Sequence, residues 1–209
     1  RYGVTVVSPG YRLAWMKPYP AAVEDCFAVL KYMDEHRAQL GAECIMVGGE
    51  SAGGALCAAV CMMARDRGIK VSYQMPLYPM ISNLDTESSK DNHGKVWNTR
   101  RNHFGWKMYL RKDAGKVVSP YAAPANQTDY SHLPPCYTFV GDIEPFYCET
   151  VDYVHHLQEA GIKAAVDVYP DWFHAYDLFF PTRKVVREAI ARFEEQYQYA
   201  SEHYFAPQK

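Results

Sequence analysis

Short apolar runs alternate with longer amphipathic stretches along most of the chain. Runs rich in β-branched and aromatic residues predict strands at residues 2–8, 44–47, 71–77, 136–140 and 164–169. Between and after them, apolar residues recur at three- and four-residue steps, which predicts helices over about 20–41, 55–68 and 147–161 and from about 186 onward. This alternation predicts an α/β fold with a mostly parallel sheet covered by helices on both faces.

One long stretch interrupts the alternation. Residues 83–135 combine a polar segment, an aromatic-rich helical pattern and a proline-rich loop. We predict a single domain over residues 1–209, with a cap-like insertion at about 83–118, because an insertion of this length in a compact sheet usually has a function. Its aromatic residues, among them Trp97 and Trp106, either line a substrate pocket or form a small satellite core.

Composition narrows the classes of partner. The chain has 209 residues, 48% of them hydrophobic, and its 22 basic and 24 acidic residues are interleaved. This balance favours a small-molecule partner over nucleic acid or a membrane surface. The six cysteines show no C-x-x-C spacing, and neither an apolar run of transmembrane length nor a signal peptide is present. We therefore predict reduced thiols, no bound metal and a cytoplasmic location.

The sequence Gly49-Glu50-Ser51-Ala52-Gly53 follows an apolar run and precedes a helical pattern. That context predicts a nucleophile elbow, in which a strand turns at once into a helix and exposes the serine. We expect a strained backbone at Ser51 and small residues around it. The alternative is a glycine-rich turn with a helix-capping serine.

A nucleophilic serine needs a base, and the base needs a carboxylate to orient it. Asp142 and Glu144 follow the strand at 136–140, and His174 follows the strand at 164–169. In open α/β sheets such groups collect at the carboxyl ends of the strands, and the order serine, acid, histidine is that of α/β-hydrolases. The other histidines lie on helices, where we expect surface positions, or in the insertion, where a pocket role stays open: His36, His93, His103, His132, His155, His156 and His203.

Several motifs, in the same order, resemble the hormone-sensitive-lipase-like family of α/β-hydrolase esterases. Residues 11–25 resemble its Y-R-L-A-P-E…P-x-P-A-A…D block, although Trp15-Met16 stands where Pro-Glu is usual. Residues 49–54 resemble its G-D-S-A-G-G elbow, residues 119–124 and 133–135 its approach to the acid, and residues 170–176 its P-G-x-x-H-x-F turn. The resemblance runs through nearly the whole chain.

The resemblance implies roles for particular residues. The family's acid precedes a proline, as Glu144 does here, so Glu144 is the implied triad acid and Asp142 the second choice. His174 is the implied base, and the backbone N–H of Ala52 the implied oxyanion donor. The family's H-G-G-G loop, which supplies further donors, does not occur in this sequence.

The activity implied is that of a serine carboxylesterase without a cofactor, which acylates Ser51 and hydrolyses small, uncharged, short-acyl esters. A peptidase or acyltransferase on the same fold is an alternative, as is a ligand-binding relative without catalysis. Relatives of that last kind lose triad residues, whereas serine, acid and histidine are all present here.

The resemblance also bears on the first predicted strand. Residues 2–8 correspond to the family's fourth strand, and the third strand normally lies between that one and the elbow strand. We therefore expect the first strands of the fold to be missing from these 209 residues. An upstream segment, a separate cleaved piece or a partner chain in a homo-oligomer would complete the sheet.

Overall fold

The computed structural model describes residues 2–204, which form a four-stranded parallel sheet. Its strands are β1 (Met46–Glu50), β2 (Tyr73–Leu77), β3 (Cys136–Gly141) and β4 (Ala164–Tyr169), and they lie side by side in chain order. Because every strand runs in the same direction, all four carboxyl ends lie at one edge of the sheet.

Helices cover both faces of this sheet. The α-helices are α1 (Ala21–Glu35), α2 (Arg37–Leu40), α3 (Ala52–Asp66), α4 (Thr99–Leu110), α5 (Tyr147–Glu159), α6 (Tyr176–Phe179) and α7 (Lys184–His203). Helices α3 and α5 pack on one face, with α1 outside α3, whereas α6 and α7 pack on the other. The predicted α/β fold is confirmed, and the predicted strands at 71–77, 136–140 and 164–169 are found to within two residues.

The central strand β2 shows how the two faces are separated. Tyr73, Met75 and Leu77 join the apolar cluster beneath α6 and α7, while the buried Gln74 points to the opposite face. The Gln74 amide donates to the carbonyl of Pro134 over 2.9 Å and accepts from the Tyr153 hydroxyl over 2.8 Å. This polar side chain is tolerated in the core because both ends of its amide are hydrogen-bonded.

The strand predicted at residues 2–8 is not present. This segment has no strand assignment, and the side chains of Val4 and Val6 are 55% and 82% exposed. Strand β1 pairs with β2, and no other strand within residues 2–204 lies beyond it. A β-branched run becomes a strand only when a neighbour satisfies its backbone groups, and the described chain offers none to this segment.

The first predicted strand–helix unit differs from the structure at its ends. Residues 20–41 form α1 and α2 instead of one helix, and Gly41 ends α2 in the left-handed conformation, at φ 62°. Strand β1 begins at Met46 and continues to Glu50, two and three residues later than predicted, because Gly48–Glu50 pair with residues 75–77 of β2. The strand therefore leads directly into Ser51.

Within the predicted insertion at 83–118, α4 is the one α-helix. Trp106 and Leu110 of α4 pack with Met80, Ala122 and Phe146 in a small apolar cluster of their own. The aromatic residues thus form a satellite core for the most part, although Phe104 stays exposed. That this segment acts as a cap remains a prediction.

A buried carboxyl group joins α5 to the chain that follows β2. Glu149 is 2% exposed, and its Oε1 accepts hydrogen bonds from the backbone N–H groups of Ile81 and Ser82, at 2.6 and 2.9 Å. Its Oε2 is buried and has no hydrogen-bond partner among the described residues. Burial raises the pKa of Glu149 to about 8, so the folded chain favours the protonated carboxyl group at neutral pH.

Glu149→Gln is expected to change how stability depends on pH. The folded-state pKa lies above the ordinary value of 4.5, so the native state holds a proton that the unfolded chain releases. The contribution of Glu149 to stability is therefore present at pH 4 and is lost as pH rises through 8. Glutamine keeps the acceptor without the charge, so we expect the variant to gain about 2–4 kcal/mol relative to the native chain between pH 5 and 8.5.

Urea unfolding of both proteins at several pH values measures this difference. Glu87→Gln is the control, because its side chain is 81% exposed. Parallel stability curves for the native chain and Glu149→Gln would show that the buried carboxyl group does not titrate in this range.

Candidate active site

Ser51 occupies the sharp turn between β1 and α3. Its backbone has φ 56° and ψ −118°, a conformation that costs a non-glycine residue about 1–3 kcal/mol. Its N–H donates to the carbonyl of Leu77 over 3.0 Å, and its own carbonyl accepts from the N–H of Met80 over 3.1 Å. These bonds to the end of β2 hold the strained turn that was expected at the elbow.

The glycines around Ser51 differ in how much they are needed. A Cβ at Gly49 would collide with the backbone carbonyl of Gly53, and one at Gly54 would lie 2.9 Å from the Cβ of Pro79. A Cβ at Gly53 would meet nothing within 4 Å among the described residues. The expectation of a small residue is thus confirmed at Gly49, whereas the described part of the chain does not explain it at Gly53.

The turn that carries His174 follows β4 directly. Asp171 and Ala175, on either side of His174, have positive φ values of 63° and 58°. The N–H of Asp171 donates to Asp142 Oδ1 over 2.7 Å. A Cβ at Gly141 would collide with the Trp172 backbone, so the turn can lie against the end of β3 only because residue 141 is glycine.

A hydrogen-bonded series joins the carboxyl ends of β1, β3 and β4. Ser51 Oγ lies 2.9 Å from His174 Nε2, and His174 Nδ1 lies 2.5 Å from Glu144 Oε2. Glu144 Oε1 accepts from the N–H of Gly141 over 3.1 Å. The three residues named from the sequence are therefore in mutual contact, in the arrangement that lets an imidazole accept the serine proton.

The structure places Glu144, and not Asp142, against His174. Glu144 is 1% exposed and His174 is 5% exposed, whereas Asp142 is at the surface and accepts from Asp171. Burial raises the pKa of Glu144, and the hydrogen bonds from His174 and Gly141 oppose that effect. A buried carboxylate that faces one imidazole is suited to stabilise the positive charge that forms there.

Ala52 is the first residue of α3. Backbone N–H groups in the first turn of a helix have no partner within the helix, and they point toward the helix N-terminus. The Ala52 N–H is adjacent in sequence to the Ser51 side chain, as an oxyanion donor must be. Its role as a donor remains a prediction.

Three aromatic rings surround the imidazole of His174. Phe146 and Tyr78 meet it edge to face, with centroid distances of 4.9 and 5.1 Å, and Trp97 lies 6.2 Å away at a tilt. Trp97 comes from the predicted insertion, so this part of the insertion does reach the site. These rings shield the imidazole from water, which strengthens its hydrogen bonds.

Two residues of this neighbourhood escaped the sequence analysis. Tyr78 follows β2 directly, and its hydroxyl donates to Asp177 Oδ2 over 3.2 Å. A usable signal existed for both, because Tyr78 stands at the carboxyl end of the strand beside the elbow and Asp177 lies three residues after His174.

The remaining histidines do not join this site. His103 contacts Asp85 at 2.7 Å and His93 contacts Asp91 at 3.0 Å, both at the surface of the insertion. His36 and His203 lie near backbone carbonyls one helical turn earlier. Within residues 2–204, no group of three or more His, Cys, Asp or Glu side chains is arranged to hold a metal ion, and no helix is long and apolar enough to span a membrane.

Comparison with known proteins gives consistent results. Residues 1–178 match the model of a family described as alpha/beta hydrolase fold. An arylesterase of Saccharolobus solfataricus is 33% identical over 164 residues, which cover 76% of this chain and 53% of the relative. Carboxylesterase NlhH of Mycobacterium tuberculosis is 29% identical over 194 residues, which cover 90% of this chain and 61% of the relative.

Solved structures agree with these relatives. An esterase of Pyrobaculum calidifontis superimposes with a TM-score of 0.80 at 33% identity, covering 88% of this chain and 62% of that one. The chain therefore spans between 53% and 62% of the length of these three proteins.

Gly49→Ala is expected to disrupt the elbow. The new methyl group would overlap the Gly53 carbonyl, and overpacking of this kind lowers the free energy of unfolding by about 1–3 kcal/mol. Because that carbonyl belongs to the first turn of α3, the Ser51 hydroxyl should move away from His174 and reaction with an organophosphonate should slow. Gly48→Ala is the control, since its methyl group would lie 3.7 Å from the Met75 carbonyl, an ordinary contact. Equal melting temperatures and labelling rates for the two variants would contradict this account of the elbow.

Proposed function

This chain belongs to the alpha/beta hydrolase fold family, and from that premise we propose that it acts as a serine carboxylesterase. The resemblance to hormone-sensitive-lipase-like esterases is confirmed by the family match and by the esterases among its relatives. One observation carries the proposal: the series Ser51 Oγ, His174 Nε2 and Nδ1, and Glu144 Oε2, with spacings of 2.9 and 2.5 Å.

The proposed first half-reaction is acylation of Ser51. Its Oγ bonds to the carbonyl carbon of the ester while its proton passes to His174 Nε2. The tetrahedral oxyanion then collapses, the bond to the alcohol oxygen breaks, and the proton moves from Nε2 to that oxygen as the alcohol leaves. Water repeats these steps on the acyl-enzyme, which releases the acid and restores Ser51.

Two groups stabilise the charges that form in these steps. Glu144 faces Nδ1 and offsets the positive charge on the imidazole, and it also holds the ring so that Nε2 points to Ser51. The Ala52 N–H donates to the oxyanion. A donor of this kind is in place before the reaction, so no reorganisation is needed as the charge develops.

Charge near the site supports an uncharged ester as the substrate. Glu144, Asp177 and Glu50 all lie close to His174 or to Ser51, and together they disfavour an anionic substrate. The arylesterase and carboxylesterase activities named for the relatives belong to those proteins. For this chain, small short-acyl esters remain our proposal.

Location and assembly are also proposals. All six cysteines are free thiols, which fits a reducing compartment such as the cytoplasm. Strand β1 has a neighbour on one side only within the described residues, which fits a homo-oligomer or a complementing segment at its other side.

Ser51 is expected to be the residue that becomes acylated. A fluorescent organophosphonate should label Ser51, as shown by peptide mapping, and Ser51→Ala should abolish labelling. Turnover of a short aryl ester should fall by about 10⁶-fold in this variant, as for other triad nucleophiles. Ser8→Ala, at an exposed position, is the control. A label on any other serine would refute the assignment.

Glu144→Gln is expected to slow turnover by about 10⁴-fold, because glutamine cannot offset the charge on the imidazole or select its tautomer. Asp142→Asn keeps the acceptor for the Asp171 N–H and should lose less than about tenfold, since neutral hydrogen bonds of this kind contribute about 1 kcal/mol. Steady-state kinetics on the same ester measure both. The reverse ranking would assign the acid role to Asp142.

A further inference from the structure

A second group of ionisable side chains lies beside His174, apart from Glu144. The buried Tyr78 donates its hydroxyl to Asp177 Oδ2 over 3.2 Å, and Asp177 belongs to α6, which begins just after His174. The other oxygen of Asp177, Oδ1, is buried and has no hydrogen-bond partner among residues 2–204. The turnover mechanism described above uses neither residue.

The fold holds Tyr78 in an unusual conformation. Its φ is 33°, a value that aromatic residues rarely adopt, and its N–H donates to the carbonyl of Phe139 over 3.1 Å. This conformation directs the ring toward the imidazole of His174, with a centroid distance of 5.1 Å and an interplanar angle of 84°. Phe146 meets the imidazole in the same way, at 4.9 Å and 89°. Two perpendicular rings therefore restrict its rotation.

The charges around His174 come from several elements. Glu144 approaches from the turn after β3, Asp177 from α6 and Glu50 from the end of β1. Burial raises the pKa of Asp177, and burial followed by the charge of Asp177 raises the pKa of Glu50. The Tyr78 hydroxyl opposes both shifts, because a donor favours the ionised carboxylate.

We propose that Tyr78 and Asp177 are positioning residues for His174, an inference that rests on the proposed esterase function. The ring of Tyr78 keeps Nε2 directed at Ser51. The hydrogen bond to Asp177 keeps the ring of Tyr78 in place and keeps a second carboxylate beside the imidazole. Glu144 then supplies the direct contact, and Asp177 adds to the field that favours the imidazolium form.

This role has a consequence for the pH dependence. A negative charge near His174 favours its protonated form, so removal of that charge lets the imidazole stay neutral at lower pH. In Asp177→Asn, the acidic limb of kcat/KM should move about 0.5–1 pH unit toward acid, and kcat should fall about tenfold. In Tyr78→Phe, the carboxylate loses its donor and stays protonated to higher pH, so the limb should move in the same direction by less.

The chain contains a matched control for both variants. Tyr137 is also fully buried beneath α7 and donates its hydroxyl to Asp167 Oδ2 over 2.9 Å, but no contact joins this pair to His174. Tyr137→Phe removes the same chemical group from the same apolar cluster. It should lower the melting temperature about as much as Tyr78→Phe does and leave the acidic limb unchanged.

The experiment measures kcat/KM against pH for a short aryl ester in the native protein, Tyr78→Phe, Asp177→Asn, the double variant and Tyr137→Phe. The ¹⁵N signals of His174 are titrated in the same proteins without substrate. We expect both readouts to move toward acid in Asp177→Asn, and the double variant to resemble Asp177→Asn alone, because the two residues act as a unit.

The possible results are distinct. If Asp177→Asn and Tyr78→Phe lose activity and melting temperature while both pH readouts match those of Tyr137→Phe, the pair is only structural and the inference is overturned. Additive shifts in the double variant would overturn the coupling between the two residues. A native protein without ester hydrolysis would refute the proposed function, whereas the ¹⁵N titration would still decide whether Asp177 acts on His174.

Discussion

The contact between Ser51 and His174 depends on the parallel direction of the strands. The two residues are 123 positions apart, and Glu144 lies 30 positions before His174. They meet because β1, β3 and β4 all end at the same edge of one sheet. A reversal of any of these strands would carry its residue to the opposite edge, four to six residues away.

The same contact requires unfavourable local structure. Ser51 has a strained backbone, and Glu144 is a carboxyl group removed from water. Each is held by backbone partners: Ser51 by the end of β2, and Glu144 by the N–H of Gly141. The rest of the sheet and its helices supply the apolar burial that makes such a site affordable in a marginally stable domain.

The chain after β2 organises the neighbourhood of the site. Met80 bonds to Ser51, Tyr78 packs on His174, and Glu149 holds the backbone of Ile81 and Ser82 from α5. Tyr78 and Glu149 are also the points at which buried ionisable groups meet this segment. Strand β2 carries none of the three residues in the hydrogen-bonded series, yet its carboxyl end contacts two of them.

The sequence by itself determined the features that depend on local pattern. Periodicity located four of the five predicted strands, and the glycine-flanked serine after an apolar run identified the elbow at Ser51. The resemblance chose Glu144 over Asp142 through one neighbouring proline. These are short-range properties, because strand, turn and helix preferences are set by residues close together in the chain.

Other features were decided only by the tertiary structure, because they depend on which segments become neighbours. Residues 2–8 have the composition of a strand but no described partner, so pattern alone predicted a strand that is not present. Gly53 was expected to be crowded like Gly49, and only the packing distinguishes the two. The pairing of Tyr78 with Asp177 joins residues 99 positions apart, and no local signal couples them. It forms because β2 and the turn after β4 end at the same edge of the sheet, where the fold places both against one imidazole.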